Sequence, residues 1–453
     1  MKRHLLHTAI FWVASTLLTH AAIFTTNGDG TVYSFEKLST VNGSGVKKEG
    51  SLYVLTGTCT IAKGDQFTID NGATVAFDEE SELVIEGTSD LCASSTTKLT
   101  KLENAKNCRG ITLQGSNGNA IQVANLIFEY VGLRCAVDTE IRSCHFLRHN
   151  GSSSGALYLG SDGASFHIID CTFEDCQKAA IGGAANYRCP AVIEGCTFSR
   201  NSQANGNVPQ LNLTVASKIE IRNCMVEGAP NLTMVGGIAI SNFMGYEGTK
   251  AIIEGCTIKD NRYGITTLGI TDITIANNQL IANNHEVNAN NGGSGISLYD
   301  PYLKQTAHIS GNHIEGNLWG ITVIGCGEVN IGKTEVSSEA ADYNPGRNVF
   351  VNNGNNGLLY DIYNNSTNTV YAQGNIWNVE NQDRESIEKV VFHKNDNPSL
   401  GEVIFMPAGD PAGIKQAIAD KRNNAIYRVD GSKVTGTFLP HGIYIINGKK
   451  IIR

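Results

Sequence analysis

Two carboxylates in aromatic surroundings are the first residues to weigh. Asp300 sits in Tyr299-Asp300-Pro301-Tyr302 and Asp361 in Tyr360-Asp361-Ile362-Tyr363. A facing pair of carboxyl groups can act as acid and base on a glycosidic bond. Rings at Tyr158, Tyr299, Tyr302, Trp319 and Tyr363 offer flat apolar faces with a polar edge, against which a sugar ring can stack. The spacing weighs against the pair. Asp300 lies five residues after Gly295 and Asp361 four after Gly357. In a strand, a one-residue offset turns a side chain to the other face. The simpler reading leaves the rings packing at turns and the carboxylates solvated.

Other chemistries find less support. A hard cation needs clustered carboxylates. Lys259-Asp260-Asn261-Arg262 supplies one and reads as a polar turn, while Glu335, Glu339 and Asp342 share a long acidic insert. No two of the twelve cysteines have Cys-x-x-Cys spacing and the histidines are scattered, so neither a metal site nor a cofactor is expected. Gly182-Gly183 and Gly292-Gly293 read as turn glycines.

The elements that would position these residues come from one phrase written ten times. An aliphatic residue is followed three places later by Cys or Asn, and two places after that by a bulky apolar residue. Clear copies are Ile141-x-x-Cys144-x-Phe146, Ile168-x-x-Cys171-x-Phe173, Ile193-x-x-Cys196-x-Phe198, Ile221-x-x-Cys224-x-Val226 and Ile253-x-x-Cys256-x-Ile258. Asn takes the slot in Ile275-x-x-Asn278-x-Leu280 and Ile309-x-x-Asn312-x-Ile314, with looser copies at Asn125, Asn348 and Asn375. A second beat follows five residues later at Asn201, Asn261, Asn283 and Asn317, and Gly-aliphatic strands begin at Gly155, Gly237, Gly264, Gly295, Gly320 and Gly357. Short apolar strands and Asn turns at such a period predict a stacked solenoid, because one repeat alone cannot bury its apolar face. Asn is expected to supply the left-handed corner and to bond neighbouring turns through its amide. At about 4.8 Å per coil, ten coils make a rod of roughly 50 Å.

This pattern resembles the right-handed parallel β-helix family, the fold of pectate lyases and of many bacterial surface proteins. The resemblance implies an all-β chain of about ten or more coils over residues 52–407, and is nearly silent on function. Five cysteines share one slot of successive coils, which favours a ladder of buried thiols acting as small hydrophobes over stacked disulfides. Cys176 with Cys189, and Cys92 with Cys108, are the more plausible bridges.

The ends carry addresses. Lys2 and Arg3, an apolar run over Thr8–Leu18 and small residues near Ala21 and Ala22 read as a signal peptide, residues 1–22. The apolar run is short for a membrane span, so no transmembrane segment is expected after cleavage. Losing Lys2 and Arg3 takes the formal charge from −8 to −10, which argues against nucleic acid as a partner. Residues 23–51 read as an extended lead-in. Pro411–Arg422 has the spacing of a short helix. Asp430-Gly431 and Asn447-Gly448 are tight-turn pairs between apolar runs, predicting two hairpins in residues 408–453. The ending Gly442-Ile-Tyr444-Ile-Ile-Asn447-Gly448-Lys449-Lys450-Ile-Ile-Arg453 closely resembles the C-terminal sorting domain of type IX secretion cargo. That resemblance implies a small β-hairpin or β-sandwich tail, the type IX machinery as partner, and cargo that is cell-surface, outer-membrane associated or extracellular, often attached to lipopolysaccharide. Three functions follow as expectations: a non-catalytic adhesin, glycan-binding or envelope protein; a polysaccharide lyase or glycoside hydrolase; or a surface accessory or signalling component of the secretion system.

Overall fold

The computed structural model describes residues 23–410 apart from 117, 215 and 216, together with the backbone of Ile426–Arg428, Ile443–Ile446 and Lys449–Ile452. The body is a parallel β-helix. One face is a fourteen-stranded sheet whose order follows the chain coil by coil, from Ile23–Thr25 and Thr58–Ile61 to Ile362–Asn365 and Val391–Phe392. The other two strands of each coil form the remaining walls. Among the described residues of the body, the single antiparallel strand pairing is Val46–Glu49 with Leu52–Leu55.

The repeated phrase sets the register. Ile141, Ile168, Ile193, Ile221, Ile253, Ile275 and Ile309 pair in sequence, one per coil. Three places after each comes the Cys or Asn slot, then the bulky residue. Phe128, Phe146, Phe173 and Phe198 stack with ring centroids 4.7, 4.7 and 5.0 Å apart. That spacing is the coil rise itself, so aromatic stacking and strand pairing reinforce each other.

Where the slot is Cys, the buried thiols donate to main-chain carbonyls; Cys171 Sγ reaches Ile169 O at 3.3 Å and Ile141 O at 3.6 Å. Where it is Asn, the amides form a chain. Asn278 N–H and Nδ2 both donate to Asn312 Oδ1 at 3.0 Å, Asn312 does the same to Asn348, and Asn348 to Asn375. The inter-turn amide bonds are as expected, but the left-handed corner is one residue earlier. Asp170, Asn223, Asn277 and Arg347 hold φ between 52° and 58°, each just before its slot. The slot side chain must point inward to join the ladder, so the turn falls to its neighbour.

The second beat forms another interior chain. Asn261 N–H donates to Asn283 Oδ1 (3.3 Å), Asn283 to Asn317 (3.0 Å) and Asn317 to Asn353 (3.2 Å). The coil holding Cys224 has Ala229 at this beat. Buried Gln210 bridges the gap, accepting from Asn201 N–H at 3.1 Å and donating to Asn261 Oδ1 at 2.9 Å. The glycines that open these strands are required by the close approach of the next coil: a Cβ on Gly264 would run into the Gly295 carbonyl and lie 2.8 Å from Leu280.

All twelve cysteines are free thiols, so the expected Cys176–Cys189 and Cys92–Cys108 bridges are not formed. Cys189 Sγ donates to Ser161 O, while Cys108 is buried and Cys92 is exposed. The segment read as an extended lead-in is ordered into the rod. Ile23–Thr25 pairs with Thr58–Thr60, and the helix Phe35–Ser39, capped by Ser34, buries Phe35 and Leu38 over the first coils. At the far end Trp377, Ile387 and Phe405 close the interior. In the tail, Ile443–Ile446 pairs antiparallel with Lys449–Ile452 across Asn447-Gly448, and with Ile426–Arg428 on its other edge. The first predicted turn, Asp430-Gly431, the predicted helix at Pro411–Arg422 and the leader 1–22 lie outside the described residues. Among the described residues no helix is long and apolar enough to cross a membrane.

Candidate ligand groove

Along the fourteen-stranded sheet, inward Ile or Leu alternates with an outward residue. In the C-terminal half the outward row runs Thr266, Ser297, Thr322, Tyr363, Phe392 in register. A parallel row two residues on runs Leu268, Tyr299, Ile324, Asn365. Ser294 and Trp319 pair on the other flank, and the Ser294 and Thr322 hydroxyls are 2.8 Å apart. The loop Ala289–Gly292 forms the wall there, held by Trp319 Nε1 donating to Ala289 O at 3.0 Å. The result is a groove of about 410 Å³ with a floor of small hydroxyls and an aromatic end.

That end is a four-ring cluster. Trp319 stacks on Tyr360 at 5.1 Å, and Tyr363 stacks on Phe392 at 4.5 Å. Tyr360 meets Tyr363 and Phe392 edge-on at 5.6 Å each. Each ring is braced by another, so little freedom is lost when a ligand packs against them. Burial raises the Tyr360 phenol, helped by the Asp396 charge, so it stays a neutral donor.

Trp319 and Tyr363 are thus brought together in the groove. Tyr299 stands one row over and is 38% exposed; Tyr302, on the following turn, is 77% exposed. Tyr158 lies on the same sheet face but six coils before Thr322, under the Arg134 guanidinium at 4.5 Å. Asp300 and Asp361 are not brought together. Register aligns Ile296, Ile321 and Ile362, which puts Asp300 four residues after its Ile and Asp361 one before. That is an offset of five residues, roughly 16 Å along the strand. Both carboxylates are buried. Asp300 accepts from the backbone N–H of Tyr302 (3.0 Å), Lys304 (2.7 Å) and Gln305 (2.6 Å), closing a turn. Asp361 occupies the slot that is Gly295 and Gly320 in the two preceding coils. It accepts from Asn378 N–H at 2.8 Å and from the Asn353 amide at 3.4 Å, ending the second Asn chain, and burial pushes its carboxyl up to about 7.

Gly357 does not begin a strand. It lies in a loop with exposed Leu358 and Leu359, and the strand starts at Ile362. Asp342 pairs with Lys333 at 2.7 Å, and Glu335 lies near the Gln373 amide. Lys259 pairs with Glu227 at 2.8 Å. Among the sorting residues, Gly442, Asn447 and Gly448 lie outside the described residues, and Tyr444, Lys449 and Lys450 are described as strand backbone. The hydroxyl floor and Phe392 escaped the sequence reading. Their signal was present: Gly-Ile-Thr266, Gly-Ile-Ser297 and Gly-Ile-Thr322 share one position after the glycine.

A family model for NosD, described as a periplasmic copper-binding protein, matches residues 85–323. No curated protein matches the sequence. Among solved structures, a mutant of the periplasmic alginate epimerase AlgG is similar at TM-score 0.40 and 12% identity, over 83% of each chain. Dettilon tailspike protein is similar at 0.38 and 14%, over 78% of this chain and 61% of that one. Pectate lyase Pel9A is similar at 0.28 and 13%, over 70% and 72%.

Proposed function

The chain belongs to the NosD family, described as periplasmic copper-binding proteins, and from that premise we propose an exported β-helix that binds a glycan without turning it over. The observation that carries the reading is the groove. A row of hydroxyls ends against braced rings, the mix of apolar face and oriented polar groups that suits a sugar chain. The two acidic candidates fit a non-catalytic role, since each carboxylate is occupied by N–H donors inside the fold.

Copper is the ligand in the family's description, and the residues here do not fit it. Thiolate and thioether ligands select copper(I), and imidazole suits copper(II). The stacked Cys144, Cys171, Cys196, Cys224 and Cys256 lie in the dry core and donate to carbonyls. Among the described residues no three His, Cys, Asp or Glu side chains are grouped to hold a metal.

Glycan-array binding should be seen with no release of reducing ends or unsaturated products, and Trp319→Ala or Tyr363→Ala should weaken it at least roughly fivefold, about 1 kcal/mol for a lost stacking ring. Release of reducing ends or unsaturated products by the native chain would instead establish the hydrolase or lyase. For export, the leader supports passage across the inner membrane, and the tail's likeness to type IX sorting domains supports the surface or the medium as destination. Deleting Gly442–Arg453 should then leave the protein in the periplasm; unimpaired surface display of that truncation refutes the address.

A further inference from the structure

We propose that a second site, at the N-terminal end of the same sheet face, binds an oxyanion between Arg109 and Arg134 over His149 and Ser153. The site is a cavity of about 450 Å³ lined by these four residues together with Glu82 and Thr112, among others. It lies five coils from Thr266 along the outward row, roughly 24 Å from the aromatic groove.

Each member is built for the place. Arg134 lies over the Tyr158 ring at 4.5 Å, and among the described residues it makes no ion pair. Arg109 gives one nitrogen to Glu82 at 3.3 Å and keeps its other donors. Glu82 is also held by the Thr112 hydroxyl. Two arginines against one glutamate leave the cavity positive in a chain of formal charge −8.

His149 closes the floor. It is 1% exposed, and its Nδ1 has no hydrogen-bond partner. The ring fits because Gly132 and Gly151 flank it; a Cβ on either would come within 3.1 and 2.8 Å of Nε2. Ser153 Oγ stands 3.4 Å from Nε2 while donating to Gly155 O. Burial pushes the imidazole down to about 4, so the ring is neutral at neutral pH and carries one N–H. His149 also occupies the second-beat position of its coil, five residues after Cys144, where later coils place an Asn bonded on both sides. With its own proton on Gly155 O, the Ser153 hydroxyl accepts from Nε2–H, so the ring floors the cavity and the arginine forks above it suit a ligand with two or more acceptor oxygens. Carboxylate and phosphate share that chemistry. The site does not depend on the glycan reading.

Isothermal titration of the full mature chain with acetate, inorganic phosphate and neutral acetamide tests it. One or both anions should bind and acetamide should not, with the tighter anion naming the source. Arg134→Gln, at an exposed residue, should weaken binding roughly tenfold or more, as for loss of a hydrogen bond to a charged group. Arg109→Gln, also at an exposed residue, should weaken binding too. Trp319→Ala should leave anion binding unchanged. Absence of heat from both anions at millimolar concentrations, or full binding by Arg134→Gln, overturns the site.

Discussion

Replacing Asn317 with Ala tests whether the amide chain holds the rod together or merely fills it. The Asn317 side chain accepts from Asn283 N–H at 3.0 Å and from the Asn283 amide at 3.2 Å. It donates to Leu280 O at 3.0 Å, Glu315 O at 3.2 Å and Asn353 Oδ1 at 3.1 Å. Some of these losses are covered. The Asn283 amide keeps Ile258 O at 3.0 Å, and Asn353 Oδ1 keeps the Asn317 backbone N–H at 3.2 Å. The Asn283 N–H loses its partner, while the Leu280 carbonyl stays in the parallel ladder with the strand His313–Glu315. One buried N–H left unsatisfied, with the void of the missing amide, costs about 2–3 kcal/mol. Cys256→Ala is the control. It removes one small buried side chain and no strong bond, for about 1 kcal/mol. Asn317→Asp should cost at least as much as Ala at neutral pH, because it sets oxygen against oxygen at Leu280 and Asn353, and should recover in acid. Urea titration of a chain starting at Ile23 reads this locally, since its two tryptophans are Trp319 and Trp377, both in the last coils. Circular dichroism tracks the whole rod, because a solenoid need not melt as one unit. An Asn317→Ala loss no larger than that of Cys256→Ala refutes the reasoning.

Two buried groups should give opposing pH slopes. Asp361 is raised to about 7 in the fold, so from about 4 to 7 the folded state holds the extra proton and its contribution falls as pH rises; His149 is lowered to about 4, so from 6.5 down to 4 the unfolded state takes the extra proton and stability falls as pH drops. Denaturation midpoints across pH 4–7 should therefore fall with rising pH in His149→Phe and rise in Asp361→Asn, and two parallel profiles would contradict the assignments. In the native chain one thiol, Cys92, should react promptly with an aromatic disulfide reagent and the remaining eleven of the twelve only after unfolding; a native count well above one would contradict the dry cysteine ladder.

The register was legible because the phrase repeats a side-chain requirement. An Ile and a Phe at fixed spacing must fall on their counterparts or lose the core, and Ile141 to Ile309 pair as written. Positions that answer to a neighbouring coil were harder to read. The corner residue varies among Ser143, Asp170, Gly195 and Asn223, because what is selected there is a left-handed backbone and not a side chain. Gln210 can be seen as a substitute for an Asn only once its coil is known to carry Ala229 at that beat. Gly357 misled because it lies within the loop, five residues before Ile362, and Asp361 holds the place before the strand that is glycine in the two preceding coils. The oxyanion pocket draws on four coils, so no local motif announces it. Phe35 and Leu38 cap the rod from a segment whose composition is polar, since two well-placed apolar residues suffice to cover an open end.

The architecture separates folding from recognition by a single residue step. In each coil of the long sheet the aliphatic residue faces inward and its successor points outward, so the row Thr112, Arg134, Tyr158, Gly182, Asn212, Ala239, Thr266, Ser297, Thr322, Tyr363, Phe392 mixes hydroxyl, guanidinium, amide, aromatic and small side chains, while the row beside it is uniformly aliphatic. The residue on the other side of the aliphatic one is different again. It packs against the backbone of the next coil, where a Cβ at Gly264, Gly295 or Gly320 would come within 3.0 Å of a carbonyl oxygen, and Gln210 and Asp361 stand there as links in the interior amide chain. A carboxylate in this slot is therefore committed to the core whatever surrounds it, whereas one residue pair later, at Thr322 or Tyr363, the same group would face a ligand. An acid moved from the slot to the outward row would stand in the groove and not in the core, and Asp361 stands on the inward side of that line.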